Sequence, residues 1–356
     1  MLLMIGYLTT PTSVTGVSLA EFWAWVRYLA AITPRDSDLR LTRSYADLDA
    51  HQKTILSDDF GMGVPMVWLM KHLPLVEIVD GRYFLQRYGA SHGAHQHRTS
   101  KRGPNKTPDF VARDNNGKWH IIECKGTQSG EVFRNRQLDS GRSQKLSIEF
   151  PLGHTGQRLV SGLSIGIENG NPSHLRIIDP VADDPVKITE NELEFAHDAA
   201  TRGVMAKLLR STGFEIAAET VAAPFGKPQA MPPSRKKADK DRVEYLADRD
   251  SRAREELLDS GSRHKLFANR YSGREVTFLL PRSIYIHSAA ISKVTIRQGI
   301  NLDALDLLRE QPTIETLVDP ARNHWIEMIG TNIIQDDEKT ATLQIGDIFR
   351  AELTLE

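Results

Sequence analysis

Apolar residues crowd the stretch from 18 to 32, Ser-Leu-Ala-Glu-Phe-Trp-Ala-Trp-Val-Arg-Tyr-Leu-Ala-Ala-Ile, and predict a helix packed on both sides. A second helix is expected from about Tyr45 to Leu56. Ser57-Asp58-Asp59-Phe60-Gly61-Met62-Gly63 reads as its end, because closely spaced glycines are poor helix formers. Pro65 suits the first position of a new helix through Met66, Leu69 and Leu73. Leu75–Val79 and Arg82–Leu85 flank Asp80-Gly81, the signature of a tight hairpin. Asp109–Arg113 and Trp119–Lys125 bracket Asp114-Asn115-Asn116-Gly117 and predict a second hairpin. A helix is expected from Glu131 to Ile148, with Ser140-Gly141 weakening its middle, followed by strands over Leu159–Ile167 and Leu175–Ile178.

Beyond Asp179 the pattern changes. Asn191 to about Arg210 is helical and stops near Gly213. Residues 224–242 form a proline-rich, charged linker, and a heavily charged helix runs on to about Leu258. From about Lys265 to Glu356 a smaller, separate α+β unit is predicted, with strands over Glu275–Leu280, Trp325–Ile329 and Phe349–Leu355. The chain thus divides into an N-terminal helical region, 1–56, and an α/β domain with a central mixed sheet, 57–223. A charged linker and helix, 224–264, then lead to the C-terminal α+β domain, 265–356.

Bulk properties narrow the classes. At 356 residues, 40% of them hydrophobic, the chain is long enough for two domains. No run reaches the roughly 20 apolar residues of a membrane span, and the N-terminus lacks the basic flank of a secretory signal. Cys124 is the only cysteine, so an internal disulfide and a thiolate zinc ribbon are excluded and a reducing cytoplasm is expected. With 45 basic against 46 acidic side chains, any nucleic-acid contact must come from local patches rather than overall charge. That balance speaks more against a pure binding module than against an enzyme.

The chemistry gathers in Thr107-Pro108-Asp109-Phe110-Val111 and Trp119-His120-Ile121-Ile122-Glu123-Cys124-Lys125-Gly126. Alternation along a strand puts Trp119, Ile121, Glu123 and Lys125 on one face and His120, Ile122 and Cys124 on the other. Two charges at the end of a buried strand are costly unless paired or metal-bound. Asp109 starts the partner strand, so the hairpin can bring its carboxylate to Glu123. Converging carboxylates favour a hard divalent cation, Mg²⁺ or Mn²⁺. Such a cation lowers the pKa of a bound water and offsets charge building on a phosphate, and Lys125 would help position or deprotonate that water.

Pro108-Asp109 followed by Glu123-Cys124-Lys125 resembles the PD-(D/E)xK, or restriction endonuclease-like, nuclease superfamily. The resemblance covers about residues 57–180, where helix, three strands, helix and strand follow in the superfamily's order. It implies a metal-dependent endonuclease that hydrolyses DNA phosphodiester bonds, with Mg²⁺ as cofactor and Mn²⁺ as substitute. Asp109 and Glu123 would be metal ligands, Lys125 the catalytic lysine, and the Cys124 carbonyl a further ligand. An acid from the preceding helix would complete the set, with Asp59 favoured over Asp58 as nearer the helix that Pro65 starts. Gln137 and Gln144 resemble the polar helix face that some members turn toward the site. Restriction or anti-phage defence, and a homodimer cutting both strands, are expected by analogy. The alternatives are a repair or recombination nuclease for branched or damaged DNA, and a catalytically silent scaffold of the same fold.

Residues 91–107 hold His92, His95, His97, Arg98, Lys101, Arg102 and Lys106 with no carboxylate. Arg98, Lys101, Arg102 and Lys106 are candidate phosphate contacts, and the histidines are either solvated or metal-ligating. Arg134, Arg136, Arg142 and Lys145 either continue that patch or form a wet helix face. No Walker sequence exists, so an ATPase or helicase would have to be a separate partner.

Overall fold

The computed structural model describes residues 1–12, 20–92, 107–142, 148–180, 185–222, 236–259, 263–286, 289–310, 320–337 and 339–356. A short apolar helix, α1 (Leu2–Thr9), comes first. Ala20 to Ala31 then form one helical stretch that widens to π geometry over Trp23–Arg27 and tightens to 3₁₀ geometry over Tyr28–Ala31. Helix α2 (Ala50–His72) begins where the Asp49 carboxylate caps the His51 and Gln52 amides.

No break occurs at 57–63. Helix α2 runs straight through Gly61, Gly63 and Pro65, so the boundary expected at residue 57 falls inside it. The glycines serve close packing instead. A Cβ on Gly61 would lie 2.5 Å from the Gly126 nitrogen, and one on Gly63 would collide with the Ile5 side chain. Pro65 forfeits only its bond to the Gly61 carbonyl, within a helix whose buried face repays that loss.

Strand β1 (Leu75–Asp80) leads directly into helix α3 (Gly81–His92), so the expected Asp80-Gly81 hairpin and the Arg82–Leu85 strand are absent. Tyr83, Phe84, Leu85 and Tyr88 are buried while Arg82 and Gln86, four apart, are exposed, which is a helical face. The Gly81 amide donates to the Asp109 carbonyl at 3.0 Å, turning the chain out of the sheet. Strands β2 (Phe110–Asp114) and β3 (Trp119–Thr127) form the hairpin expected at Asp114-Gly117, with Gly117 at φ +75. Helix α4 (Glu131–Arg142), strands β4 (Thr155–Ser164) and β5 (His174–Ile178), and helices α5 (Leu193–Ser211) and α6 (Glu215–Ala222) follow.

These strands make a mixed sheet in the order β1-β2-β3-β4-β5, parallel only between β3 and β4. Its two faces are covered differently. Phe110, Ile122 and Cys124 pack with α1 and α2, whereas Val111, Trp119 and Ile121 pack with α3 and the start of α5. The first part of the order is helix, strand, helix, two strands, since α3 stands between β1 and β2.

Helix α7 (Lys236–Leu258) is the charged helix expected there, but it begins inside the stretch expected as linker, 224–242. The C-terminal sheet contains β6 (His264–Leu266), β7 (Tyr271–Ile286), β8 (Ala289–Asn301), β9 (Asn332–Asp336), β10 (Thr340–Ile345) and β11 (Phe349–Leu355). They lie in the antiparallel order β6-β7-β8-β11-β10-β9, joined by α8 (Leu302–Glu310) and α9 (Pro320–Met328). The strand expected over Trp325–Ile329 is instead the end of α9 and the residue after it; Trp325 and Ile329 are both buried, and the Ile329 amide bonds the Trp325 carbonyl at 2.8 Å. The two sheets share one hydrophobic core: Val294, Ile296, Trp325 and Phe349 belong to the same cluster as Met4, Phe60 and Ile122. The Asn332 amide also donates to the Leu75 carbonyl at 3.0 Å, so this unit is not separate from the first.

Candidate active site

The β2–β3 ladder ends at Phe110 opposite Ile122, and the functional residues sit just past that end. Asp109 precedes β2 by one residue and takes over the ladder with its side chain. Its Oδ2 accepts from the Cys124 amide at 2.8 Å, while its own amide donates to Glu123 Oε2 at 3.2 Å. Each carboxylate is therefore held by the other's strand. Lys125 Nζ lies 2.7 Å from Glu123 Oε1, and Glu123 is only 4% exposed. The Ser161 hydroxyl, from β4, donates to the Glu123 carbonyl at 3.0 Å and ties this end of β3 to its parallel neighbour.

Strand alternation works as expected. Cys124 is buried with Ile122 in one cluster while Trp119 and Ile121 lie in the other, so the thiol points away from the Glu123–Lys125 face. Burial pushes the Lys125 ammonium toward the neutral form. The hydrogen bond and charge of Glu123, then the fields of Asp109 and Asp58, outweigh it and leave the pKa above the ordinary lysine value.

Of the two candidate acids on helix α2, the one whose charge acts on Lys125 is Asp58, not the Asp59 favoured above. Ser57 and Gly61 lie directly on Gly126, and Gln128 Nε2 donates to the Ser57 hydroxyl and the Lys53 carbonyl at 3.3 Å each. Asp58, beside Ser57 and exposed at its outer side, is near enough for its charge to act on Lys125; partial desolvation raises its pKa and the ammonium partly offsets that. Asp59 is turned away and bonds the buried Tyr28 hydroxyl, its own pKa raised by burial first. Asp59, expected to join the metal site, is placed on Tyr28 instead. With the helix continuous from Ala50, its rotation is not set by a start at Pro65.

Gln137 is partly buried on α4, its Oε1 has no partner, and among the described residues nothing joins it to Asp109, Glu123 or Lys125. Arg134 is buried and bonded to Glu131, Asn135 and the His174 carbonyl, so it is neither phosphate patch nor wet face. Arg136 is exposed. The side chains of His92 and Arg142, and residues His95, His97, Arg98, Lys101, Arg102, Lys106, Gln144 and Lys145, lie outside what the structure describes.

Among the described residues, no three His, Cys, Asp or Glu side chains converge as a metal-binding group. The pair Asp109 and Glu123 nevertheless offers hard carboxylate oxygens beside the Cys124 backbone, past the end of the ladder. Mg²⁺ commonly takes one or two protein carboxylates and keeps several waters, so this donor set fits it. Sequence reasoning missed Ser161, Gln128 and Tyr28; Gly126 following Lys125 was the one local sign that a helix must pass close by. In comparisons with known proteins, no family model matches the chain, and no curated protein or solved structure matches it.

Proposed function

We propose that this chain is a Mg²⁺-dependent nuclease that hydrolyses DNA phosphodiester bonds. The observation that carries the reading is the placing of Asp109 and Glu123 at one sheet end, the Asp109 amide on Glu123 Oε2 and the Cys124 amide on Asp109 Oδ2, with the Lys125 ammonium on Glu123. Asp109, Glu123 and the Cys124 carbonyl would hold the cation, which when bound supplies Lewis-acid polarisation and an acidified water. Lys125, paired with Glu123 at 2.7 Å, would stand beside the reacting phosphate and stabilise charge growing on it. Asp58 adds the field of a further carboxylate from the helix side.

DNA as substrate, a defence setting and a dimer that cuts both strands rest on the superfamily resemblance. The test is a panel of linear duplex, branched and single-stranded DNA with Mg²⁺ or Mn²⁺, run on the wild type, Glu123→Gln and Lys125→Ala. The reading expects metal-dependent cutting by the wild type alone, and preference for branched DNA would favour the repair version. Failure of the wild type to cut any substrate would favour the silent scaffold.

A further inference from the structure

Helix α2 touches β3 backbone to backbone at Gly61 and Gly126, a contact without side chains to set the helix's rotation. A second contact bears on it. Tyr28 is 1% exposed, its ring stands edge-on to Phe60 with centroids 5.3 Å apart, and its hydroxyl donates to Asp59 Oδ2 at 2.5 Å. Next to it the Arg27 guanidinium donates to the Gln52 side chain, one more bond from the same stretch to the same helix.

The stretch is anchored from its other end. Glu21, 7% exposed, pairs with Arg274 at 3.0 Å, and Phe22 packs edge-on against Phe278 with centroids 5.2 Å apart. Arg274 and Phe278 both belong to β7 of the C-terminal sheet. Successive helical residues point about 100° apart, so holding Asp59 on Tyr28 holds Asp58 toward Lys125.

We infer that Tyr28 and Asp59 are a positioning pair, whose hydrogen bond fixes the rotation of α2 about the Gly61–Gly126 contact and so presents Asp58 to the site. The C-terminal sheet braces the pair through Glu21 and Phe22. Asp59 acts as a hydrogen-bond acceptor, and its charge is dispensable. The cleavage arm of the following test rests on the nuclease reading; the exchange arm does not.

The experiment compares full-length wild type, Tyr28→Phe, Asp59→Leu and Asp59→Asn, the last of which keeps an oxygen to accept from the Tyr28 hydroxyl. In metal-free protein, amide exchange across Ala50–His72 is expected to rise about tenfold in Tyr28→Phe and Asp59→Leu, as for loss of a hydrogen bond to a charged acceptor. Asp59→Asn should stay near the wild type. With Mg²⁺ and DNA, kcat should fall roughly ten- to a hundredfold in the first two variants at unchanged KM, and little in Asp59→Asn. Unchanged exchange in both Tyr28→Phe and Asp59→Leu would overturn the proposal. So would an Asp59→Asn protein with a protected helix but cleavage as poor as Asp59→Leu, because Asp59 would then act through its charge. If the wild type cuts nothing while exchange follows the expected pattern, the positioning pair stands and the nuclease reading fails.

Discussion

Gly61→Ala turns the contact between α2 and β3 into a measurement. In an exposed helix this substitution stabilises by about 1 kcal/mol, because alanine is the better helix former. Here the new methyl would meet the Gly126 nitrogen at 2.5 Å, its Cα at 2.7 Å and the Lys125 carbonyl carbon at 2.8 Å. All three are backbone atoms of a central strand and cannot swing aside. Restoring ordinary contact, about 3.4 Å, needs α2 to lift from β3 by about 0.9 Å. Overpacking of this kind costs about 1–3 kcal/mol, and with immovable backbone at all three contacts the upper end applies, so that after the propensity gain a net loss of about 2 kcal/mol is expected. The displaced backbone is that of Lys125 itself, and a misplacement of about 1 Å can cost roughly a hundredfold in rate. Urea denaturation and Mg²⁺-dependent DNA cleavage read the two effects separately. A Gly61→Ala protein that is more stable than the wild type, with unaltered cleavage, would show that the helix does not sit on Gly126 and would refute the reasoning.

Three further substitutions test other parts of the account. Asp198, fully buried between Arg87 and Arg202 at 2.9 Å from each, leaves two buried guanidiniums behind in Asp198→Ala, and a loss of about 3–5 kcal/mol is expected in urea denaturation; a loss under about 1 kcal/mol would refute it. His120 is buried, its Nδ1 accepting from the Gln157 amide and its Nε2 near Asp114 at 3.3 Å; burial lowers its pKa against the pull of Asp114. The unfolded chain therefore binds the proton more readily, so stability should be full above about pH 6.5 and fall as pH drops from there toward the lowered folded pKa. A His120→Gln protein should lose that part of the pH dependence of Tm, and identical profiles would contradict it. Cys124→Ala should keep most cleavage activity and lose about 1 kcal/mol of stability, because the site uses its backbone and its thiol is packed among Phe110 and Ile122. Inactivity in a folded Cys124→Ala protein would point to thiol chemistry instead.

What could be read from the sequence was what depends on near neighbours. The period of two along Trp119–Lys125 put Glu123 and Lys125 on one face and the Cys124 thiol on the other, and the Asp114-Gly117 turn required only its own residues. Helix α7 and strand β11 were legible for the same reason. What failed depended on distant partners. Asp80-Gly81 carries a hairpin signal, but Gly81 is needed for the approach of Pro108, whose carbonyl oxygen would lie 2.1 Å from a Cβ there. Gly61 and Gly63 looked like breakers because the strand and the isoleucine that demand them, Gly126 and Ile5, lie about 60 residues away in either direction. The choice between Asp58 and Asp59 fell with them. Helix rotation decides it, and the partner that holds Asp59 is Tyr28.

The most direct test of the central claim is cleavage of supercoiled plasmid DNA by the wild type and Asp109→Asn, with Mg²⁺ and with chelator. Asparagine retains an oxygen to accept from the Cys124 amide, so the sheet end stays closed and only the charge is lost. The account predicts that the wild type cuts with Mg²⁺ and not with chelator, and that Asp109→Asn, folded and equally stable, cuts about a hundred- to a thousandfold more slowly. Cleavage by Asp109→Asn at the wild-type rate, or no cleavage by the wild type, would contradict it.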